Sequence, residues 1–440
     1  MVKRRCSVVA ALVFICITAL SPGRVALKES KYSPEVVAQS NEPLFPIRDG
    51  WKKEGFIDVH GRVVIAPVFD SALYFQEGLA AVEKDGKWGY IDHTGKLIIP
   101  AQWQLVSSFE DGLAAVVDKD HIYEKTESGG NIMSCGFIDH TGRYVIQPSV
   151  ERRGELCPRF REGLAPLCDN VRCGYIDHHG QWAIKPQFLF SRDGSDSAYF
   201  SEGLAAVVLR SAEDPTTLNW SGDFAYIDKT GKPVFQLKGY AHVFPFRGGL
   251  AKVVRVRMWK LGRKTRRATT VGFIDRSGRI KFKFENIRTA DPENYGDENL
   301  GKVFEDDIDE FYEGRACIKD PRTKRYGYVD QTGRWVIPPR YVEARAFSDG
   351  LASVCTYEQT KCAYIDHQGR VILKMSSWGS EFHDGLALQF LFMITIGGKP
   401  DLPDVEGYMN KSGKYVWVSP GGEYTMTKEW WRDNYVGPPR

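Results

Sequence analysis

The sequence predicts an all-β fold: a tandem array of short antiparallel three-stranded units stacked as an open curved solenoid, with a closed propeller-like ring as the alternative. Three observations predict it. A phrase recurs nine times, a second phrase is locked to it, and the same turn residues return at fixed places in each copy. The first phrase is Gly-(Phe/Tyr)-Ile-Asp-x-x-Gly-(Lys/Arg), with its Asp at Asp58, Asp92, Asp139, Asp177, Asp228, Asp275, Asp330 and Asp366, and Asn410 in the last copy. Steps of 34 to 55 residues separate the copies, a short period with insertions of variable length.

The second phrase, Phe-x-(Glu/Asp)-Gly-Leu-Ala, begins at Phe75, Phe109, Phe160, Phe200, Phe347 and Phe382, with degraded versions at Phe246 and Phe311. One unit then reads as a Gly-Leu-Ala-Ala-Val strand, a polar turn, a Trp-Gly-Tyr-Ile-Asp strand, a tight turn, and a Lys-Leu-Ile-Ile-Pro strand. In Asp92-His93-Thr94-Gly95 the Asp is placed to accept a backbone N–H two residues on. The Gly tolerates positive φ, as a type I turn with a bulge requires. Pro67, Pro100, Pro148, Pro186 and Pro338 each remove a ladder donor and are expected to stop the third strand. The middle-strand aromatics, from Phe56 and Tyr90 to Tyr408, alternate with Ile and are expected to fill the space between units.

Lys87-Trp88-Gly89-Tyr90-Ile91-Asp92 carries a resemblance to the WG-repeat proteins, extending over about residues 44 to 418. The Trp survives in that copy, with Cys135, Cys173, Phe224, Val271, Tyr326, Cys362 and Glu406 in its place elsewhere. The resemblance implies a β-repeat fold with binding or scaffolding roles, and it supplies no catalytic residues.

Residues 1–26 read as a signal peptide, with Lys3, Arg4 and Arg5 ahead of an apolar run from Val8 to Leu20 that is short for a membrane span. Residues 27–43 read as a linker, 44–418 as the array, and 419–440, with Trp430 and Trp431, as a cap or tail. The mature chain is expected to be a secreted, periplasmic or envelope monomer without a transmembrane span. A formal charge of +3 gives no reason to expect nucleic acid as a partner.

Cysteine placement agrees with export. Cys168 and Cys355 each lie five residues after the Gly of Gly-Leu-Ala, and Cys173 and Cys362 directly precede the next Gly or Ala. These positions face each other across a hairpin, so cross-strand bridges Cys168–Cys173 and Cys355–Cys362 are expected. Cys135 is paired with Cys157, and Cys317 is left as a buried thiol. A zinc site at Cys168-x4-Cys173 lacks a second ligand pair.

No Ser/His/Asp spacing, phosphate loop or dinucleotide fingerprint is present, so no catalytic residue, metal or cofactor is assigned. His93, His140, His178 and His367 follow the repeat Asp and read as turn residues facing water. Glu77, Asp111, Glu162, Glu202, Glu313, Asp349 and Asp384 precede a turn Gly and read as loop caps. Charge breaks the repeat between the fifth and seventh copies. A lengthened hairpin there carries Arg255, Arg257, Trp259, Lys260, Arg263, Lys264, Arg266 and Arg267, the candidate binding residues, and an acidic stretch runs from Asp291 to Glu310. The two insertions pair with each other or are solvated loops, or else the basic arm meets an anionic glycan, phospholipid headgroup or acidic protein. The expected function is an exported, non-catalytic binding or scaffold protein presenting a β surface to a protein or glycan of the cell envelope. The alternatives are a repeat-fold hydrolase of cell-wall polysaccharide or peptide, and a structural spacer.

Overall fold

The computed structural model describes residues 42–49, 53–125, 131–153, 157–168, 172–189, 196–212, 221–261, 264–290, 308–356, 361–375, 379–391, 405–419 and 435–436. The expected signal peptide, most of the linker, Arg263, most of the acidic stretch and both tail tryptophans lie outside these residues.

Among the described residues the strands form nine antiparallel sheets of three to five strands, one per copy of the repeat. The first comprises Phe45–Asp49, Lys53–Ile57 and Val63–Phe69. The second comprises Ser71–Ala72, Ala80–Lys84, Lys87–Ile91 and Leu97–Trp103. The middle strands of the third to ninth are Asn131–Ile138, Cys173–Ile176, Ser221–Ile227, Lys264–Ile274, Tyr326–Val329, Cys362–Ile365 and Val405–Asn410. Several sheets gain a leading strand that the three-strand reading lacks, such as Leu105–Val106, His242–Arg247 or Glu343–Ala344. Such strands are as short as two residues, too short for a period-two pattern to register in sequence.

The turns form as their residues dictate. Asp92 Oδ1 accepts from the backbone N–H groups of Thr94 at 2.9 Å and Lys96 at 3.1 Å, and from the Thr94 hydroxyl at 2.6 Å. The same cradle recurs at Asp139, Asp228, Asp275 and Asp330, and the Thr or Ser hydroxyl holds each of these carboxyls below the usual range. The prolines do not end the third strand: Pro67, Pro100, Pro148, Pro186 and Pro338 all lie inside it. There the register against the middle strand shifts, and the displaced residues bulge toward the repeat Gly. A Cβ on Gly55, Gly89, Gly174 or Gly327 would come within 2.6 Å of a carbonyl oxygen of the bulged strand. Where the third strand pairs without interruption at this point, at Ala225 with Gln236 and Ala363 with Lys374, alanine fits.

The core is divided among the junctions between sheets. Tyr90 packs with Phe109, Val116 and Ile138 of the next unit, whereas Ile91 packs with Phe56 and Ile65 of the preceding one. Each middle-strand aromatic meets the Phe that begins the next unit, with ring centroids 4.8 to 5.2 Å apart from Phe56–Phe75 to Tyr364–Phe382. Where the aromatic is Tyr, its hydroxyl also donates to a backbone carbonyl of the next leading segment, as Tyr90 does to Ser107 and Tyr328 to Arg345.

The same clasp joins the last sheet to the first. Tyr408 donates to the Pro46 carbonyl at 2.8 Å and packs on Phe45 with centroids 5.5 Å apart. Phe45, Ile47 and Ile57 share one apolar cluster with Leu386, Tyr408, Val416 and Trp417. The nine sheets therefore close into a propeller-like ring, and the expectation of an open solenoid is corrected. Closure hides both ends of the array and removes the exposed terminal faces that an open stack must cap. Tyr435 forms a parallel bridge to Tyr415 on the outer strand of the ninth sheet, and Val436 N–H donates to the Tyr415 carbonyl at 2.8 Å.

Candidate binding arc on the inner strands

The basic segment is a three-stranded ribbon rather than a lone hairpin. Leu250–Leu261 pairs with Lys264–Ile274 along its whole length, and Ile280–Ala290 lines the other edge. Two of the candidate side chains are already engaged. Arg255 donates to the Lys238 carbonyl at 2.8 Å and lies over the Tyr240 ring at 4.5 Å, clipping the sixth sheet to the fifth. Arg257 pairs with Glu285 at 3.3 Å. Trp259, Lys260, Lys264, Arg266 and Arg267 are placed by strand register, opposite Arg266, Thr265, Leu261, Trp259 and Met258 respectively. Of the acidic stretch, Glu310 pairs with Arg247, outside the ribbon's candidate residues.

The turn acids and the residues after the repeat Asp act together as latches between units. Each Glu or Asp before the turn Gly has positive φ, as Glu77 does at 51°, and so does the Gly. The two-residue hairpin needs both in that region, as a type I′ turn does. The carboxylate then accepts from the turn Gly N–H of the next unit: Glu77 from Gly112 at 3.0 Å, Glu162 from Gly203 at 2.9 Å, Glu313 from Gly350 at 3.0 Å. A side chain of the next unit adds to it: His140 lies 3.4 Å from Glu77, and the Lys229 and Lys411 ammonium groups lie 3.2 Å from Glu162 and 3.3 Å from Asp349. The histidines therefore do not simply face water. His93, His140, His178 and His367 stack on Phe75, Phe109, Phe160 and Phe347 with centroids 4.2 to 4.8 Å apart. Among the described residues no group of three or more His, Cys, Asp or Glu is gathered to hold a metal ion.

The disulfides are Cys135–Cys157, Cys168–Cys173 and Cys355–Cys362, with Cα–Cα separations of 5.9, 3.8 and 4.0 Å. The two short bridges join directly paired residues across a hairpin, as equivalence of repeat positions foretells. Cys317 is buried and lies in none of the three.

A different set of residues, of which only Glu310 figured in the sequence reading, gathers on the leading segments of the third to seventh sheets. They flank the Phe of the second phrase by one residue on either side, or lie just ahead of it. Arg159 reaches Glu110 of the third unit at 3.1 Å and Asp196 of the fifth at 3.7 Å, and Arg161 reaches Asp196 at 3.6 Å. Both guanidinium groups lie over the Tyr199 ring, at 5.7 and 5.4 Å. Arg247 of the sixth unit pairs with Glu310 of the seventh at 2.5 Å and lies over Tyr312 at 5.2 Å. Burial pulls Arg159 and Arg247 down, but the neighbouring carboxylates and tyrosines outweigh it and hold both above the ordinary value.

These segments lie at small radius in the ring, because single side chains span from one unit to the next along them. Ser201 Oγ donates to the Phe246 carbonyl and Ser348 Oγ to the Phe382 carbonyl, each at 2.6 Å. Asp309 feels the charges of Lys252, Glu381 and Arg345, from the sixth, ninth and eighth units, and burial above all pushes its carboxyl up to about 6. The third strands lie outermost, with Leu97, Trp182, Ile280 and Val371 exposed.

Fold and site define a closed ring of β repeats with a polar inner arc. The family model described as WG containing repeat matches the chain at five positions, residues 55–88, 88–120, 174–211, 224–255 and 326–357. No curated protein matches the chain. Among solved structures, Kluyveromyces lactis Hsv2p aligns at 9% identity and TM-score 0.30, covering 78% of this chain and 94% of that one. A form of it with loop 6CD replaced by a Gly-Ser linker aligns at 8% and 0.33, covering 78% and 93%. A protein of unknown function from Bacteroides caccae aligns at 13% and 0.19, covering 56% and 94%. Scores this low carry no argument about this chain.

Proposed function

We propose that the protein is an exported, non-catalytic WG-repeat binding or scaffold protein that meets a protein or glycan of the cell envelope through the inner arc of its ring. The arc itself is the observation that carries the reading. Latches and clasps recur from unit to unit, whereas Arg159, Arg161, Tyr199, Arg247 and Tyr312 serve no repeated need and remain partly accessible on the leading segments. Three disulfides and a basic-then-apolar leader support export. Among the described residues no helix is long and apolar enough to cross a membrane.

The test is co-sedimentation of the mature protein with envelope fractions, comparing wild type, a deletion of residues 255–267 and the double variant Arg161→Ala/Tyr312→Ala. Retention lost only in the double variant supports the arc. Retention lost only on deletion transfers the role to the basic ribbon, and no retention of wild type leaves a structural spacer. The hydrolase alternative draws on Asp309, whose raised carboxyl lies within electrostatic reach of Glu310 and Glu381. It requires that wild type release reducing ends or peptides from envelope material and that Asp309→Asn does not.

A further inference from the structure

We infer that the arc from Glu110 to Tyr312 is a subsite for a neutral oligosaccharide, an assignment that rests on the reading of the ring as a binding protein and specifies its ligand. The residues that form it are not needed to build the ring. At the two positions flanking the repeat Phe, the eighth unit carries Ala346 and Ser348, and that unit keeps its sheet, its clasp and its buried Phe347. The fourth to seventh units carry Arg159 and Arg161, Tyr199, Arg247, and Glu310 with Tyr312 at the same places.

Their chemistry selects among ligands. Arg159, Arg161 and Arg247 are balanced by Glu110, Asp196 and Glu310, so the arc sums to no net charge. A polyanion approaching any of the three guanidinium groups meets a carboxylate beside it, and a polycation meets the reverse. A neutral polyol meets neither penalty. A guanidinium carries five N–H donors and a single carboxylate takes at most two, while a carboxylate offers about four lone-pair sites. Adjacent donor and acceptor at fixed spacing match the vicinal hydroxyl pairs of a sugar, each of which both donates and accepts.

The side chains of Arg159, Arg161 and Arg247 remain 39, 31 and 37% exposed, so these groups are accessible to a ligand. Tyr312 remains 38% exposed under Arg247 and offers a ring on which the C–H face of a sugar stacks. A protein partner is less well matched. Protein interfaces are anchored by apolar and aromatic residues in dry pockets, and their cores are depleted of charge, whereas this arc is a run of ion pairs.

The test titrates the full mature protein with cellohexaose, chitohexaose and, as anionic comparator, hexagalacturonate, at low and high salt, by calorimetry. Saturable binding of a neutral hexasaccharide is expected, changing less than twofold with salt, weakened at least tenfold by Tyr312→Ala and unchanged by Arg257→Ala on the ribbon. The milder Arg161→Lys variant, which keeps the charge and loses the planar donor array, is expected to weaken binding several-fold, with the thermal midpoint confirming that each variant folds. Preference for hexagalacturonate with steep salt dependence would overturn the neutral assignment. If no saccharide binds while envelope protein is retained through the same residues, the ligand class is wrong and the binding role stands. If neither binds, both fail.

Discussion

The junction between the ninth and first sheets and the junction between the sixth and seventh hold the same ring together by different means. The first joins the two ends of the array, yet it reuses the generic clasp, with Tyr408 on Pro46 and Phe45. The second lies within the continuous chain, yet it drops the generic latch. Gly248 stands where other units carry a carboxylate, and Gln331, in place of a cation, donates to the Gly248 carbonyl at 2.8 Å. Unit-specific groups take over there: Arg247 with Glu310, and Lys252 buried over Phe244 with its ammonium donating to the Ile308 carbonyl. Closure therefore needs nothing beyond the repeat. Departure from the repeat marks where the ring has been adapted to something else.

The largest expected effect lies at the closing junction. A Cβ on Gly61 would lie 1.9 Å from the Val416 carbonyl oxygen, whereas one on Gly86 meets nothing within 4 Å, and both glycines have positive φ. Gly86→Ala is expected to cost about 1 to 2 kcal/mol of left-handed strain, and Gly61→Ala about 3 to 5 kcal/mol because overpacking is added to the same strain. Chemical denaturation of the two variants measures the difference, and equal costs would mean that the ends do not meet.

At the other junction the expected effect depends on pH. Asp309 titrates near 6 in the ring and near the ordinary 3.8 when unfolded. Between these values the folded chain keeps a proton that the unfolded chain has lost, so this group's contribution to stability falls as pH rises from about 4 to 6 and is constant above. The full change is at most about 3 kcal/mol. Asp309→Asn should remove that slope, leaving the rest of the profile in place; an unchanged slope in urea melts from pH 4 to 7 would show that Asp309 is not buried as described.

The disulfides provide a smaller contrast. Cys135 and Cys157 are 22 residues apart in sequence, against 5 for Cys168–Cys173 and 7 for Cys355–Cys362. Loop entropy makes removal of the long bridge costlier by about 1 kcal/mol than removal of either short one. Paired Cys→Ala variants of each, compared by denaturant midpoint, test this. Smallest is the repair of the missing latch: in Gly248→Glu with Gln331→Lys the charge-assisted hydrogen bond to the Gly314 N–H should offset the roughly 1 to 2 kcal/mol of left-handed strain at Gly248, leaving stability unchanged to within about 1 kcal/mol. A larger loss of stability would show that the sixth and seventh turns do not approach as the other pairs do.

Much of the unit was legible in the sequence, since each feature is local and repeated nine times over. The Asp cradle, the Tyr–Ile alternation and the two hairpin disulfides all follow from spacing within about twenty residues. Closure was legible only as the alternative to an open array. It depends on the rotation from each sheet to the next, summed around the ring, and on Phe45 meeting Tyr408, 363 positions away by subtraction of their numbers. The proline bulge was misread because a missing donor looks the same whether the strand ends or bends. The inner arc was missed because it contributes only one or two residues per unit, and those of successive units lie about 40 to 65 positions apart. Aligning the units on their Phe would have shown Arg159, Arg161, Arg247 and Tyr312 where Ser348 and Ala346 stand elsewhere.

Ring closure is tested most directly by a double-mutant cycle across the two ends, with Phe45→Leu, Tyr408→Leu and both together compared by equilibrium denaturation. Rings with centroids 5.5 Å apart are expected to couple by about 0.5 to 1.5 kcal/mol. Strict additivity, with no coupling between positions 45 and 408, would contradict a closed ring and restore the open array.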